Sequence, residues 1–306
     1  MTIRRWRIGT RGSALAHWQA HFVQERLAQA DPSCFAEVEV IKTSGDLIQD
    51  RALLEVGGKG LFVKEIQTAL LEGKVDLAVH SLKDYPAENP KELVLACVPE
   101  RQDRRDALVM QKGQPLSSLP VDAVVATGSL RRRHQAKLLF PRWEIAGLRG
   151  NVDTRLKKLD AGQFNGILLA SAGLRRLGYD ARIGRYFEPN EMVPAVGQGA
   201  IAVECRANDK EMRALLGRIE SPKARREVEA ERRFLRELGG NCTTPLGITA
   251  IIDGDKVELH AFLASIRGER HLKDHASGAA EKAESLALEL LKRFWGNGAS
   301  ELLERE

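Results

Sequence analysis

The sequence predicts an α/β protein with two domains facing each other across a cleft, followed by a third, smaller α+β domain. Three observations carry this. Short apolar runs alternate with helical patterns in the first hundred residues, and the alternation restarts after a charged stretch. Beyond about Ser221 it gives way to one helix, three closely spaced strands and a last helix. A chain of 306 residues accommodates two or three such domains at roughly 150 residues each.

In chain order, Arg7-Ile-Gly reads as a strand end and 14–30 as a helix with Leu15, Trp18, Phe22 and Leu27 on one side. A strand is expected over 37–41, a polar loop over 42–60, a helix over 61–71, and strands over 75–80 and 94–98. Pro99-Glu-Arg-Gln-Asp-Arg-Arg-Asp106 marks the boundary. Strands then fit 107–110, 123–126, 143–145 and 166–170, with helices over 130–139 and 152–161. The third domain opens on a helix ending at Leu238. Its strands fit 246–252, 256–265 and 270–275, with a hairpin signal at Asp253-Gly-Asp255, and its last helix fits 279–295.

Apolar residues at 43% and charged residues at 29% suit a buried core and exclude a disordered chain. No run approaches the ~18 apolar residues of a membrane span. The basic start superficially suits a transit peptide, but no apolar h-region follows, and a cytoplasmic location is expected. Forty-seven basic against 42 acidic residues leave +5, which suits an anionic partner. Aromatic content of 5% argues against a base-stacking nucleic-acid surface. Cys34, Cys97, Cys205 and Cys242 form no C-x-x-C pair, and free thiols are expected.

Two glycine motifs fail as nucleotide sites. Gly57-Gly-Lys-Gly60 has glycine where Walker A needs Ser or Thr, and Gly197-Gln-Gly199 lacks the third glycine of a dinucleotide fingerprint. His17 and His21 have metal-ligand spacing, but Trp18 stands where a zincin needs Glu and no third ligand is evident, so no metal is expected.

Arg131-Arg-Arg133 opens a helix behind Gly128-Ser129. The run reads as a solvated basic face, or as an anion site in which Ser129 caps a positive helix end and the arginines reinforce it. Arg11, Arg149, Arg155 and Arg176 also fall at strand ends or helix starts, where open α/β sheets bind ligands. Guanidinium forks match carboxylates, so a polycarboxylate ligand is favoured. In His80-Ser-Leu-Lys-Asp84-Tyr-Pro86, Asp84 reads either as turn chemistry or as a carboxylate at a strand end beside Lys83, able to hold a positive charge or move a proton. Cys242, in Gly239-Gly-Asn-Cys-Thr-Thr-Pro245, reads as a buried thiol or as one displayed for attachment.

Eight segments in register resemble the porphobilinogen deaminase (hydroxymethylbilane synthase) family. They are Ile8-Gly-Thr-Arg-Gly-Ser-Ala-Leu-Ala16, Gly57-Gly-Lys-Gly-Leu-Phe62, His80-Ser-Leu-Lys-Asp84 and Gly128-Ser-Leu-Arg-Arg132. The others are Arg149-Gly-Asn-Val-Asp-Thr-Arg155, Ala172-Gly-Leu-Arg-Arg-Leu-Gly178, Pro194-Ala-Val-Gly-Gln-Gly199 and the Cys242 loop. The resemblance implies two domains like type II periplasmic solute-binding proteins around a cleft, plus a small C-terminal α+β domain. It also implies a second crossing of the chain, giving domains at 1–99 with 200–219, at 100–199 and at 220–306.

The implied activity is a transferase of tetrapyrrole and haem biosynthesis. It condenses four porphobilinogen units head to tail, with loss of ammonia, on a dipyrromethane cofactor held by a thioether to Cys242, and water then releases hydroxymethylbilane. Asp84 is implied as the catalytic carboxylate, stabilising the electron-poor azafulvenium. Arg11, Arg131, Arg132, Arg149, Arg155 and Arg176 are implied as partners of the acetate and propionate groups, with Ser13, Lys83 and Ser129 assisting. Lys59 and Phe62 match a mobile loop, and a monomer with no nucleic-acid or membrane partner is implied. Four positions depart from the family pattern: Asn241 and Gly128 replace a usual glycine and serine, Tyr85 replaces a small aliphatic, and Glu55 stands at an often basic position. A solute-binding protein for a small anionic ligand and an inactive homologue are the alternatives.

Overall fold

The computed structural model describes residues 4–43, 63–240 and 244–303. Its first strands are β1 (Arg4–Thr10), β2 (Cys34–Val40), β3 (Leu77–Ser81) and β4 (Leu93–Cys97). There follow β5 (Asp106–Met110), β6 (Val124–Thr127), β7 (Glu144–Gly147), β8 (Gly166–Ala170), β9 (Ile183–Phe187) and β10 (Ile201–Arg206). The last are β11 (Leu246–Asp253), β12 (Lys256–Ala264) and β13 (His271–Ala279).

These strands form three sheets, ordered β2-β1-β3-β10-β4, β7-β6-β8-β5-β9 and β11-β12-β13. The first two share one plan: three parallel strands, then one antiparallel strand, then a fifth strand parallel to the first three. Both sheets are mixed and belong to α/β domains, and the third sheet belongs to a small C-terminal α+β part. By contacts the chain divides into two compact units, Met1–Gln102 with Ala200–Arg226 and Asp103–Gly199 with Glu227–Glu306. The third sheet thus groups with the second unit.

In the first unit the helix Ala14–Ala30 lies where the periodicity expects it, but rotated. Its buried residues are Ala16, Gln19, Ala20, Val23 and Leu27, while Leu15, Trp18 and Phe22 are only half-buried. Two small alanines let the helix approach the sheet closely, and Trp18 stacks on Phe22 at its flank, ring centroids 5.4 Å apart. The core beneath joins Ile8, Leu77, Val79, Ile201 and Val203, so β10 completes a sheet that began about two hundred residues earlier.

In the second unit both faces of the α/β sheet are covered. Ala107, Val109, Ala126, Ile167 and Leu169 pack on one side, and Leu108, Met110, Val125 and Leu168 on the other. That is the period-2 alternation of a strand between two apolar layers, which is why these strands read as unbroken apolar runs.

The third sheet is an antiparallel meander whose core includes Phe234, Ile248, Leu259, Leu290 and Phe294. Its edge strand β11 is protected in a specific way. The amides of Ala250 and Ile252 donate to the carboxylates of Glu231 (2.8 Å) and Glu227 (3.0 Å). Both carboxylates sit one turn apart on the helix Pro222–Leu238 and are fully buried. β13 runs to Ala279, and its following helix starts only at Ala283. Ala279 reads as a helix start in the sequence, whereas Ala276, Gly278 and Ala279 close the pairing with Lys256–Leu259. Among the described residues no helix is long and apolar enough to cross a membrane.

Candidate functional site

In the first unit β1 and β3 are adjacent and parallel, so the residues after them emerge at one sheet edge. After β1 come Arg11 and Ser13. The Ser13 hydroxyl caps the helix Ala14–Ala30 by accepting from the Ala16 amide at 3.3 Å, and Arg11 is half-buried beside it. After β3 comes a single 3₁₀ turn, Leu82–Asp84. Residues three apart eclipse in such a turn, so Leu82 and Tyr85 point inward together, 1% and 4% exposed, and Lys83 and Asp84 point outward. The Asp84 carboxylate has no hydrogen-bond partner among the described residues and is not spent on capping its turn.

Tyr85, the departure from the family pattern that follows Asp84, does not itself face that edge. It turns into the unit, where its hydroxyl donates to Glu204 at 2.9 Å.

In the second unit β6, β7 and β8 are parallel and end at one edge. Ser129 caps the helix Leu130–Leu139, accepting from the Arg132 amide at 3.4 Å. Asn151 caps the helix Val152–Asp160, accepting from the Thr154 amide at 2.9 Å. Two helix N-termini thus lie at the strand ends, a favourable place for anions. Arg155 reaches back so that its Nε donates to the Gly150 carbonyl at 2.7 Å, and Arg149 and Arg155 are both half-buried there.

Arg131 and Arg132 are placed differently from their neighbours. They turn into the unit, 4% and 5% exposed, and converge on Asp106, which is fully buried. Arg131 Nη1 donates to Asp106 Oδ2 at 2.5 Å and to the Val193 carbonyl at 2.6 Å. Arg132 Nε donates to Asp106 Oδ1 at 2.8 Å, and the Gln198 amide donates to the same oxygen at 2.8 Å. Antiparallel pairing explains the meeting: Asp106 opens β5 opposite Ala170, the last residue of β8, so it arrives where the parallel strands end. Burial alone would raise the Asp106 carboxyl, but the charges of Arg131 and Arg132 outweigh it and hold the group well below the usual range. Arg176 is also buried, its Nη2 donating to the Gly199 carbonyl at 2.7 Å, and burial brings it down to about 10.

Asp106, Gln198, His80 and Glu204 are polar anchors that local sequence reading overlooks. Asp106 closes a charged run that reads as a boundary, and Gln198 sits in a motif read for nucleotides and for the family resemblance, neither of which gives it a partner.

Lys59, Phe62 and Cys242, with Glu55 and Asn241, lie outside the described residues. The other three cysteines are buried, and burial pushes the Cys34 and Cys97 thiols up and Cys205 up to about 12. Thiols so held are poor nucleophiles.

Gly128 has a local cause. A Cβ there would sit 2.5 Å from the Leu148 carbonyl oxygen. Gly128→Ser, which restores the common family residue, is expected to destabilise the protein by about 1–3 kcal/mol, read as a lower urea midpoint.

Residues 6–214 match the family described as porphobilinogen deaminase, dipyromethane cofactor binding domain, and residues 225–295 match the porphobilinogen deaminase C-terminal domain. The porphobilinogen deaminase of Roseiflexus castenholzii is 46% identical over 97% of this chain and 97% of its own. That of Syntrophus aciditrophicus is 44% identical over 97% of each. Among solved structures, the methionine-binding protein MetQ aligns with 72% of this chain and 92% of its own at 12% identity and a TM-score of 0.45. With both of the family's domains matched in order and relatives aligned almost end to end, the chain belongs to the porphobilinogen deaminase family.

Proposed function

We propose that this protein is a hydroxymethylbilane synthase. It joins four porphobilinogen molecules head to tail with loss of ammonia, and releases the linear tetrapyrrole by hydrolysis. The observation that carries the reading is an outward carboxylate, Asp84, at a strand end of a chain matched almost end to end by porphobilinogen deaminases.

In each condensation the aminomethyl carbon–nitrogen bond of porphobilinogen breaks, its electron pair leaving on ammonia. Asp84 holds the positive charge left on the substrate pyrrole, accepts hydrogen bonds from pyrrole N–H groups, and takes the proton released as the carbon–carbon bond forms. When bound, a dipyrromethane supplies the terminal pyrrole whose free α-carbon receives the first unit. We assign its attachment to Cys242, consistent with three other thiols that are buried and shifted away from reactivity.

The donors suit such a ligand, since every pyrrole carries an acetate and a propionate. Arg11, Ser13 and Lys83 lie at the strand-end edge of the first unit, and Ser129, Arg149 and Arg155 at that of the second. We assign these groups to the substrate and cofactor carboxylates, at about 1.5–3 kcal/mol for each charge-assisted hydrogen bond. Arg131, Arg132 and Arg176 act from beneath: two guanidiniums against the single Asp106 carboxylate leave a net positive charge under the edge. Lys59 and Phe62 keep the assignment to a covering loop.

The reading carries with it a monomeric cytoplasmic enzyme with no nucleic-acid or membrane partner. The carboxylates of the ligand account for the +5 charge, and the reduced thiols suit a reducing compartment. A solute-binding protein leaves the match over residues 225–295 without a purpose.

The test is the intact mass under denaturing conditions. The wild-type protein is expected to exceed its polypeptide mass by two linked pyrrole units, directly or after incubation with porphobilinogen, and Cys242→Ser to show the bare mass and no turnover. A wild-type mass that stays bare after porphobilinogen is added refutes the attachment. A loaded protein without turnover identifies an inactive homologue.

A further inference from the structure

Beneath the Asp84 turn lies a buried polar cluster that the condensation chemistry does not use. Glu204 is fully buried on β10, opposite Ala78 of β3. Its Oε1 accepts from Gln67 at 2.8 Å and from the Tyr85 hydroxyl at 2.9 Å, and its Oε2 lies 3.2 Å from His80 Nε2. The Asn89 amide in turn donates to the Tyr85 hydroxyl. His80 is 5% exposed, and its ring centroid lies 5.5 Å from that of Tyr85.

A carboxylate wholly out of water is costly unless its lone pairs are met, so the donors around Glu204 are held in place by it as much as they hold it. Two of those donors bracket Asp84 in sequence. His80 precedes the 3₁₀ turn and Tyr85 follows it, its amide closing the turn on the Leu82 carbonyl at 3.0 Å. One buried group therefore pins both flanks of the turn whose outward residues are Lys83 and Asp84.

We infer that Tyr85 is a positioning residue for Asp84: its hydroxyl, donated to Glu204, fixes the end of β3 and with it the place of the Asp84 carboxylate. The inference rests on the reading that Asp84 handles the substrate. Proton transfer and charge stabilisation depend steeply on distance, and a misplacement of about 1 Å can lower a rate on the order of 100-fold.

The experiment compares the loaded wild-type enzyme with Tyr85→Phe, Glu204→Gln and Asp84→Asn, each checked for cofactor by mass. Tyr85→Phe keeps the ring and removes only the hydroxyl, which donates to Glu204 and accepts from Asn89. It is expected to lower kcat about ten-fold with KM for porphobilinogen within about twofold, and to lower the thermal midpoint by only the few degrees that one lost buried hydrogen bond costs. Glu204→Gln is expected to show the same split, which keeps the inference testable if one variant folds poorly. A wild-type kcat in Tyr85→Phe overturns it, as does a loss in which kcat falls, KM rises several-fold and the thermal midpoint collapses together. Asp84→Asn separates the two levels. If that variant turns over normally, the role of Asp84 falls and the inference with it. If it is inactive while Tyr85→Phe is normal, the inference alone falls.

Discussion

Asp84→Asn is expected to lower kcat about 10³-fold, a loss of about 4 kcal/mol of transition-state stabilisation, with little change in stability. The side chain is exposed, so its replacement removes no packing. The amide has the same shape and still accepts hydrogen bonds from pyrrole N–H groups. It lacks the negative charge that opposes the cation left by departing ammonia, and it is too weak a base to take the proton when the new bond forms. KM is expected to move far less than kcat, because the carboxylate-binding groups are untouched. Initial rates of porphobilinogen consumption by the loaded enzyme check this. A loss below ten-fold would remove Asp84 from the chemistry.

The second large effect is on stability. Asp106→Asn leaves Arg131 and Arg132 buried without their carboxylate, at a cost of about 3–5 kcal/mol. Urea unfolding at neutral pH measures it, and a fall under 1 kcal/mol would show that backbone carbonyls and Gln198 suffice for both guanidiniums.

The pH dependence has a definite sign. The folded Asp106 carboxyl is held below its unfolded value of about 3.9, so its contribution is fully present above that value. It is lost as the pH falls from there toward the depressed folded value. Asp76, lowered by Arg7 and Arg206 against the effect of burial, and Asp103, lowered by Arg105 and Arg175 against burial, act in the same direction. Asp106→Asn is therefore expected to make the acid limb of a stability profile shallower without abolishing it. An unchanged acid limb would contradict the assignment.

Much of the molecule is legible in the sequence because the signals are local. The helix 14–30 is readable from its apolar spacing. Ser129 announces the helix Leu130–Leu139, which the periodicity places at the same residues. A cap and its helix lie within four residues, so no distant contact is needed to read them. The third domain's meander is readable for the same reason, since each hairpin joins neighbours in the chain. β9, β10 and the helices Ser171–Arg176 and Lys210–Gly217 escape as elements because their limits depend on strands or cores distant in sequence.

The alternating α/β plan, the family's motifs and the arrival of arginines and one aspartate at strand ends are written locally in the chain. Which of those groups face outward depends on contacts between distant segments. Arg131 and Arg132 are claimed by Asp106 because an antiparallel strand delivers a carboxylate to the edge where parallel strands finish, 25 and 26 residues earlier in the chain. Asp84 is turned outward because Leu82 and Tyr85 are drawn inward, and Tyr85 is anchored by a carboxylate 119 residues away. Periodicity reports how a residue sits on its own element. The partner that captures its charge is set by which strands pair.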